Sequence, residues 1–436
     1  MEYLRGIAGI VFIIGVAYLF SANRSRIDWR LVIIGITIQL FFGLMIAKVE
    51  VAQSVFVYIS EKFVIFLGFA LKGAEFLYGD LAKNSNGTTG VKHSLGFLFA
   101  FQALPTVIFF SAVTSGLYYL GILQKVVFGF AWIMAKTMRL SGSESLSASA
   151  NIFMGQTEAP LLIRPFIAKM TQSELHCVMV GGMATLAGSV LAAYVSFLGG
   201  GDPQQQAKFA TYLLSASIMN APAAIVLSKI FMPETEHEKI DRALKVNKEQ
   251  IGSNVVEALA NGASDGLKLA LNIGAMLLAF IAIIFALNWI LVDFVGGVTG
   301  LNEWVRTSTG GTYQGFSLQY ILGQGFRIFA FCIGVSWEES LQVGSLLGQK
   351  MVINEFVAYL DLSAMKAAGT LSEKSIRIAT YALCGFANFS SIAIQIGGIG
   401  GMAPERTGDL ARLGFRAMMA ASMATLMTAT IAGAIF

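Results

Sequence analysis

A glutamate stands inside the run Asn151-Ile-Phe-Met-Gly-Gln-Thr-Glu-Ala-Pro-Leu-Leu-Ile-Arg-Pro-Phe166, where apolar sequence of bilayer length is interrupted by Gln156, Thr157, Glu158, Pro160 and Pro165. An ionisable group at such depth costs about 2.5 to 3.5 kcal/mol on insertion scales and is normally kept for a substrate, ion or proton path. Pro160 has no amide hydrogen to donate, so nearby carbonyls and amides lose helical partners and the turn can hold a polar ligand. Two further groups share this character. Glu355 lies in Asn354-Glu-Phe-Val-Ala-Tyr359, and Asn388, Ser390 and Ser391 interrupt an apolar span that continues into Gly397-Gly-Ile-Gly-Gly401. Carboxylate, amide and hydroxyl side chains of this kind recognise a ligand by hydrogen bonds. Plainer roles compete with that reading: Glu158 capping a helix or pairing with Arg164, Asn354 satisfying helix-end amides, and Asn388 with its serines joining helices.

The elements that must position these residues are membrane helices. Of 436 residues, 56% are hydrophobic and only 13% charged, and the mean hydropathy is +0.68. A soluble globular chain carries about twice that charged fraction. Apolar stretches of about 17 to 25 residues, the length of a span, recur near 4–20, 31–49, 94–120, 174–198, 209–232, 267–295, 378–396 and 417–436. Two more, 141–170 and 316–360, are broken by Gly, Pro, Gln, Asn and Glu and read as re-entrant hairpins. Residues 50–80 mix apolar stretches with Glu50, Glu61, Lys62, Lys72, Glu75 and Asp80, the pattern of a helix lying at the interface.

The fold expected is all-α and polytopic, with eight transmembrane helices, an interfacial helix and two oppositely oriented re-entrant hairpins arranged as an inverted repeat. A polar stretch from Pro233 to about Asn254 separates halves of similar plan. In the first, Glu158 precedes Met183-Ala-Thr-Leu-Ala-Gly-Ser189; in the second, Glu355 precedes Phe386-Ala-Asn-Phe-Ser-Ser391. Inverted repeats with interrupted segments place substrate near the midplane, the geometry of a secondary transporter. The corresponding division is 1–120 as scaffold with the interfacial helix at 50–80, 121–232 as the first transport half, 233–315 as loop and long scaffold span, and 316–436 as the second transport half.

Charge gives orientation. The net charge of +4 is dispersed over short loops, so nothing suggests nucleic-acid binding. Arg24, Arg26, Arg30, Lys125, Lys136, Arg139, Lys229, Lys239, Arg242, Lys245, Lys248, Arg406, Arg412 and Arg416 fall on inner segments if both termini are outside, with Lys366, Lys374 and Arg377 as the exception. Residues 1–22 look like a retained first helix rather than a cleaved signal, because Glu2 sits in the basic region and no small-x-small site follows. Cys177, Cys332 and Cys384 have no pairing pattern and read as small core residues.

Other motifs fail on context. The Asn86-Gly-Thr88 triplet fits glycosylation only by pattern, and the glycines near Gly397 follow no strand. Gly199-Gly-Gly-Asp202 lacks a second intramembrane Asp, and His93, His176 and His237 are too scattered for zinc. No catalytic constellation is visible, so the chain does not read as an enzyme and no resident cofactor is expected.

Gly155-Gln-Thr-Glu-Ala-Pro-Leu-Leu-Ile-Arg-Pro165, Asn354-Glu-Phe-Val-Ala-Tyr359 and Cys384-Gly-Phe-Ala-Asn-Phe-Ser-Ser391 with Gly397-Gly-Ile-Gly400 resemble the concentrative nucleoside transporter family along essentially the whole chain. The resemblance implies a homotrimer of the bacterial inner membrane, in contact with lipid, whose mobile transport units sit in a trimeric scaffold. It implies nucleobase contacts from Gln156, Thr157 and Glu158, with Val190 and Phe386 packing the ring, and ribose contacts from Glu355, Asn388 and Ser391. It also implies a sodium ion near Asn151, Thr185 and the carbonyls of Met154 and Leu186, all oxygen donors suited to a hard cation. Thr157, where proton-coupled relatives tend to carry Ser, points to the sodium-coupled branch. The expectation is a sodium-coupled nucleoside symporter, with uridine as a test substrate and an elevator-like alternation between faces. A proton-coupled carrier is the alternative and an intramembrane hydrolase the remote one; a passive channel is a further possibility. Purine against pyrimidine preference, ion stoichiometry and the trimer contacts are not legible.

Overall fold

The computed structural model describes residues 2–83, 97–200, 202–244 and 252–436, and these are helical without a strand among them. Asn86, Lys92, His93, Lys245 and Lys248 lie outside the described residues. The outer helices come first: α1 Glu2–Leu19, α2 Trp29–Lys48, α3 Glu50–Tyr78 and α4 Leu104–Tyr119. Asp28 starts α2 by accepting from the amides of Arg30 and Leu31, the usual way an Asp satisfies first-turn donors. Helix α5 Ile122–Met138 leads to α6 Gly142–Ala150, the first arm of the first hairpin, then to a helix broken into α7 Gln172–Ala184 and α8 Gly188–Gly199, and then to α9 Pro203–Phe231. After the long α10 Val255–Asn288, the same plan repeats. Its hairpin is α11 Leu318–Cys332 and α12 Ser340–Val352 with α13 Glu355–Ala367, its broken helix α14 Glu373–Leu383 and α15 Phe389–Met402, and its closing helix α16 Thr407–Ile435.

Several expected boundaries change. Lys125 and Lys136 lie on the helix Ile122–Met138, ahead of the 141–170 stretch, and not in a loop. Their aliphatic stems suit an apolar helix while their ammonium groups reach outward, which disguises the helix in a charge count. Lys136 rests its ammonium 4.9 Å from the centre of the Trp132 ring. The bend between α5 and α6 uses Arg139 at φ 56°. The stretches near 174–198 and 378–396 are not continuous helices but pairs, interrupted at 185–187 and 384–388. Apolar side chains run through both interruptions, so hydropathy reads across them.

Eight helices among the described residues are long and apolar enough to cross a membrane, and they differ in part from the eight apolar stretches of the sequence. Glu50–Ala82 qualifies by length and composition, whereas Phe389–Met402 is too short. Burial separates two shells. Within the most apolar window, 94% of residues are buried in Gln172–Gly199 and 89% in Pro404–Ile435, but only 17% in Glu50–Ala82 and 11% in Val255–Thr299. The inner shell is therefore α7, α8, α9, α14 and α16. The outer shell exposes large apolar residues such as Phe76, Leu278, Phe285 and Phe294, as a surface that meets lipid or another protein must. Helix α10 continues through a π-helical stretch to Thr299, 45 residues in all, about 67 Å at 1.5 Å per residue, far more than the hydrocarbon core requires.

The root of the first hairpin is tied down by charge. Ser141 and Glu144 form a reciprocal capping box at the start of α6, and Thr171 with Glu174 forms another at the start of α7. Buried Lys229, near the end of α9, pairs with Glu144 and donates to Ser173 Oγ at 2.9 Å. Thr171 Oγ1 donates to Glu234 at 2.8 Å. In the second half Glu339 occupies the comparable place, accepting from the Ser372 amide and hydroxyl and from Ser375.

Candidate substrate and ion site

Each interrupted segment ends a helix early and leaves polar groups facing the centre. After α6 the chain turns through Asn151–Glu158: the Glu158 amide donates to Gly155 O at 3.1 Å, and the Glu158 carboxylate accepts from the Gly155 amide at 3.2 Å. Pro160 then opens a short 3-10 turn over Ala159–Ile163. In the second half Asn354 starts α13 by accepting from the Val357 amide at 3.0 Å, and Asn388 starts α15 by accepting from the Ser391 amide at 2.9 Å. Both asparagines thus cap helices, which the plainer reading of the sequence gave for Asn354 alone. For Asn388 that role is only half of what it does.

The Asn388 amide nitrogen donates to Glu355 Oε2 at 2.8 Å, while Tyr194 of α8 donates its hydroxyl to Glu355 Oε1 at 3.0 Å. Beyond Asn388, Gln156 Nε2 donates to Ser391 Oγ at 3.1 Å, and Gln395 Nε2 donates to Gln156 Oε1 at 3.1 Å and to Met179 O at 3.0 Å. A continuous polar chain therefore runs from Tyr194 through Glu355, Asn388 and Ser391 to Gln156 and Gln395. It joins the first hairpin, both broken helices and the second hairpin in the protein interior. A Cβ on Gly182 would stand 2.7 Å from Gln395 Nε2 and 2.9 Å from Gln156 Cβ, so the bare glycine lets α7 approach this chain. Tyr194 is fixed by stacking on Tyr359 with ring centres 4.4 Å apart.

Four of the eight expected substrate contacts, Gln156, Glu355, Asn388 and Ser391, lie in this chain. Thr157 sits against Gly398 of α15, Val190 is buried in the first turn of α8 and Phe386 is half-buried in the second break. Glu158 is placed differently. Its carboxylate lines a cleft of about 660 Å³ between the hairpin, α8, α4 and α10, together with Ser189, Ser111, Thr114 and Asp265. Arg164 is exposed.

Asn151, Met154, Thr185 and Leu186 are all buried where the first hairpin turn meets the break after α7. Thr185 Oγ1 donates to Gly181 O at 2.8 Å, and a Cβ on Gly181 would lie 3.2 Å from Asn151 Nδ2. Asn151 is fully buried, yet neither polar atom of its side chain has a hydrogen-bond partner. Such an orphan costs about 1 to 3 kcal/mol and calls for an unseen water or ion. Amide oxygen, hydroxyl and broken-helix carbonyls fit a hard monovalent cation. No cluster of three or more His, Cys, Asp or Glu that could hold a metal occurs among the described residues.

The sequence motifs do not mark Tyr194, Gln395, Asn220 or Lys350. Each is a polar side chain within an apolar helix, and that placement is the one signal the sequence offers for them.

Comparison with known proteins agrees with this architecture. The family models described as "Na+ dependent nucleoside transporter" match residues 8–81 with the N-terminal part and 212–433 with the C-terminal part, and a "Nucleoside recognition" model matches 100–201. The chain is 43% identical to the uncharacterized transporter YutK of Bacillus subtilis, covering 99% of both chains. It is 39% identical to human sodium/nucleoside cotransporter 1, covering all of this chain and 64% of the human protein. The structure of CNTnw in an inward-facing substrate-bound state superposes with a TM-score of 0.88 at 39% identity, covering 100% of this chain and 99% of the other; a variant of CNTnw in an outward-facing state gives 0.86. These relatives are transporters and not enzymes. The chain belongs to the sodium-dependent, concentrative nucleoside transporter family.

Proposed function

We propose that this protein is a sodium-coupled nucleoside symporter of a bacterial inner membrane, with the Tyr194–Gln395 polar chain and Glu158 forming the substrate site. The observation that carries the reading is the hydrogen-bonded run Glu355–Asn388–Ser391–Gln156, which brings residues of both halves together. A carboxylate with an adjacent amide suits the vicinal hydroxyls of a ribose, and Gln156 with Thr157 and Glu158 suits the donor and acceptor edge of a base. Val190 and Phe386 supply apolar surface for the ring. An entering nucleoside replaces protein–protein hydrogen bonds with its own, so analogues lacking a sugar hydroxyl leave polar groups unpaired and are rejected.

Sodium binds with the nucleoside at Asn151, Thr185 and the carbonyls of Met154 and Leu186, directly beneath the first hairpin turn. Satisfying Asn151 stabilises the turn that carries Gln156 to Glu158, so ion and nucleoside bind with positive coupling. Movement is elevator-like: a transport unit of 121–232 and 316–436 shifts against a scaffold of 1–120 and 233–315. The cleft beside Glu158, bounded on its far side by α4 and α10, marks the boundary between them. Three copies assemble through the exposed scaffold, α3 lies along the interface, and both termini face the periplasm by the positive-inside bias.

Counterflow in proteoliposomes tests the reading. Radiolabelled uridine is expected to accumulate chemically unaltered above its outside concentration only with an inward sodium gradient. Uptake that ignores replacement of sodium by choline but collapses with a protonophore would overturn sodium coupling in favour of protons.

A further inference from the structure

Lys350 is a buried charge that the transport scheme leaves without a task. Its residue is 3% exposed, and its ammonium donates to the Ala382 carbonyl and to Thr425 Oγ1, both at 2.9 Å. Buried Lys229 has carboxylate partners in Glu144 and Glu234, but none lies within 4.0 Å of Lys350 among the described residues. Taking an ammonium out of water costs several kcal/mol, so its surroundings must be built to hold a cation. They are. Ala382 is in the last turn of α14, where carbonyls lack helical donors and the helix dipole is negative.

The two halves carry this arrangement at comparable places, where a hairpin helix ends against a helix break. In the first, Asn151 ends α6 of the hairpin and lies against Gly181 in the last turn of α7, just before the break. In the second, Lys350 lies in the last turn of α12 of the hairpin and reaches the last turn of α14, just before the break. The closing helix of each half contributes beside it: Ser217 of α9 donates to Ile152 O at 2.9 Å, and Thr425 of α16 accepts from Lys350. The two breaks also touch. Asn220 Nδ2 donates to Ala184 O at 2.8 Å and to Cys384 O at 3.1 Å, and a Cβ on Gly385 would stand 2.6 Å from Ala184 O.

We infer that Lys350 is a resident cation, its ammonium filling in the second half the place that the transported sodium takes in the first. This rests on the sodium-coupled reading. Of the two helix breaks, one is then held permanently by a covalently attached charge, and only the other depends on an ion that arrives and leaves. Lys350 acts as a positioning residue for Asn388 and Ser391, which follow the break it holds.

Removing the charge should make the second half depend on an ion as well. Lys350→Ser leaves a gap lined by the Ala382 carbonyl, Thr425 Oγ1 and a new hydroxyl, all oxygen ligands for a hard cation. Lys350→Met fills the space without charge. Uridine affinity of the purified full-length protein is measured by calorimetry across a sodium–choline series, alongside thermal stability in the same buffers. The native protein is expected to gain affinity with a sodium slope of about one and Lys350→Ser with a slope approaching about two, as an added linked site requires. The Ser variant should also gain more thermal stability from sodium than the native protein does. Lys350→Met should bind uridine at least roughly tenfold more weakly at saturating sodium, with the native slope. A native slope in Lys350→Ser, or native uridine affinity in Lys350→Met, would overturn the inference; Lys350→Asn replaces the Ser variant if that unfolds. Native protein whose uridine affinity ignores sodium would instead remove the sodium-coupled reading, an outcome visible before any variant is made.

Discussion

Glu355 accepts from two donors on different elements, Tyr194 and Asn388, so its ionised carboxylate is matched on both oxygens. Glu355→Gln replaces one acceptor with an NH₂ that faces a donor. Hydrogen bonds to charged groups contribute about 1.5 to 3 kcal/mol, so uridine uptake is expected to fall by roughly ten- to over a hundredfold. Uptake in whole cells, with membrane abundance checked on immunoblots, measures this; undiminished uptake would remove Glu355 from the site. Asn151 presents the opposite situation, a buried amide with no partner. Asn151→Ala removes a proposed ligand without breaking any side-chain hydrogen bond, so half-maximal uptake should require several-fold more sodium while the maximal rate survives high sodium. A sodium titration of initial rates decides, and an unshifted midpoint would place the ion elsewhere. Residue chemistry alone identifies Glu355 and Asn388, because a carboxylate and an asparagine in apolar surroundings advertise themselves. Tyr194 and Gln395 are not distinguished this way, because Tyr and Gln occur in membrane helices for other reasons.

At the scale of elements, the broken helices matter more than their lengths. Gly385 combines φ 130° with so close a backbone approach that a Cβ there would stand 2.6 Å from the Ala184 carbonyl oxygen. Only glycine meets both demands. Gly385→Ala is expected to cost a few kcal/mol, since a strained backbone residue alone costs about 1 to 3 kcal/mol, and to push apart the segments that carry Thr185 and Asn388. Scanning fluorimetry should show a fall of several degrees in apparent unfolding temperature with weaker uridine binding, and an unchanged transition would show that the breaks do not press on each other. The paired hairpins are partly legible from prolines and polar residues. The helix before the first hairpin, Ile122–Met138, is not, because its lysines give it the charge of a loop.

For the whole molecule, the proposed movement sets a buried inner shell against an exposed outer one, with a cleft between them. Ser111 of α4 and Ser189 of α8 line the cleft between the shells. Cysteines at these two positions, joined by a short bifunctional thiol reagent, are expected to abolish uptake, and reducing a cleavable reagent should restore it. Native Cys177 and Cys384 are buried and Cys332 is partly so, which makes single-cysteine controls sufficient to exclude background reaction. Complete cross-linking with full uptake would argue against sliding of one shell past the other.

Composition determined the membrane class, because a chain with 13% charged residues cannot cover itself against water. Ordered motifs around Glu158, Glu355 and Asn388 determined the family, and polar side chains at bilayer depth marked the proposed site. Tertiary structure decided which of those residues meet. Hydrogen bonding between Gln156 and Ser391, the contact of Gly385 with Ala184, and the reach of Lys350 to Ala382 and Thr425 all join segments far apart in the chain. No local propensity encodes such meetings. They arise because two halves of similar plan fold their interrupted helices against each other, and backbone groups freed at one break are satisfied by side chains from other helices.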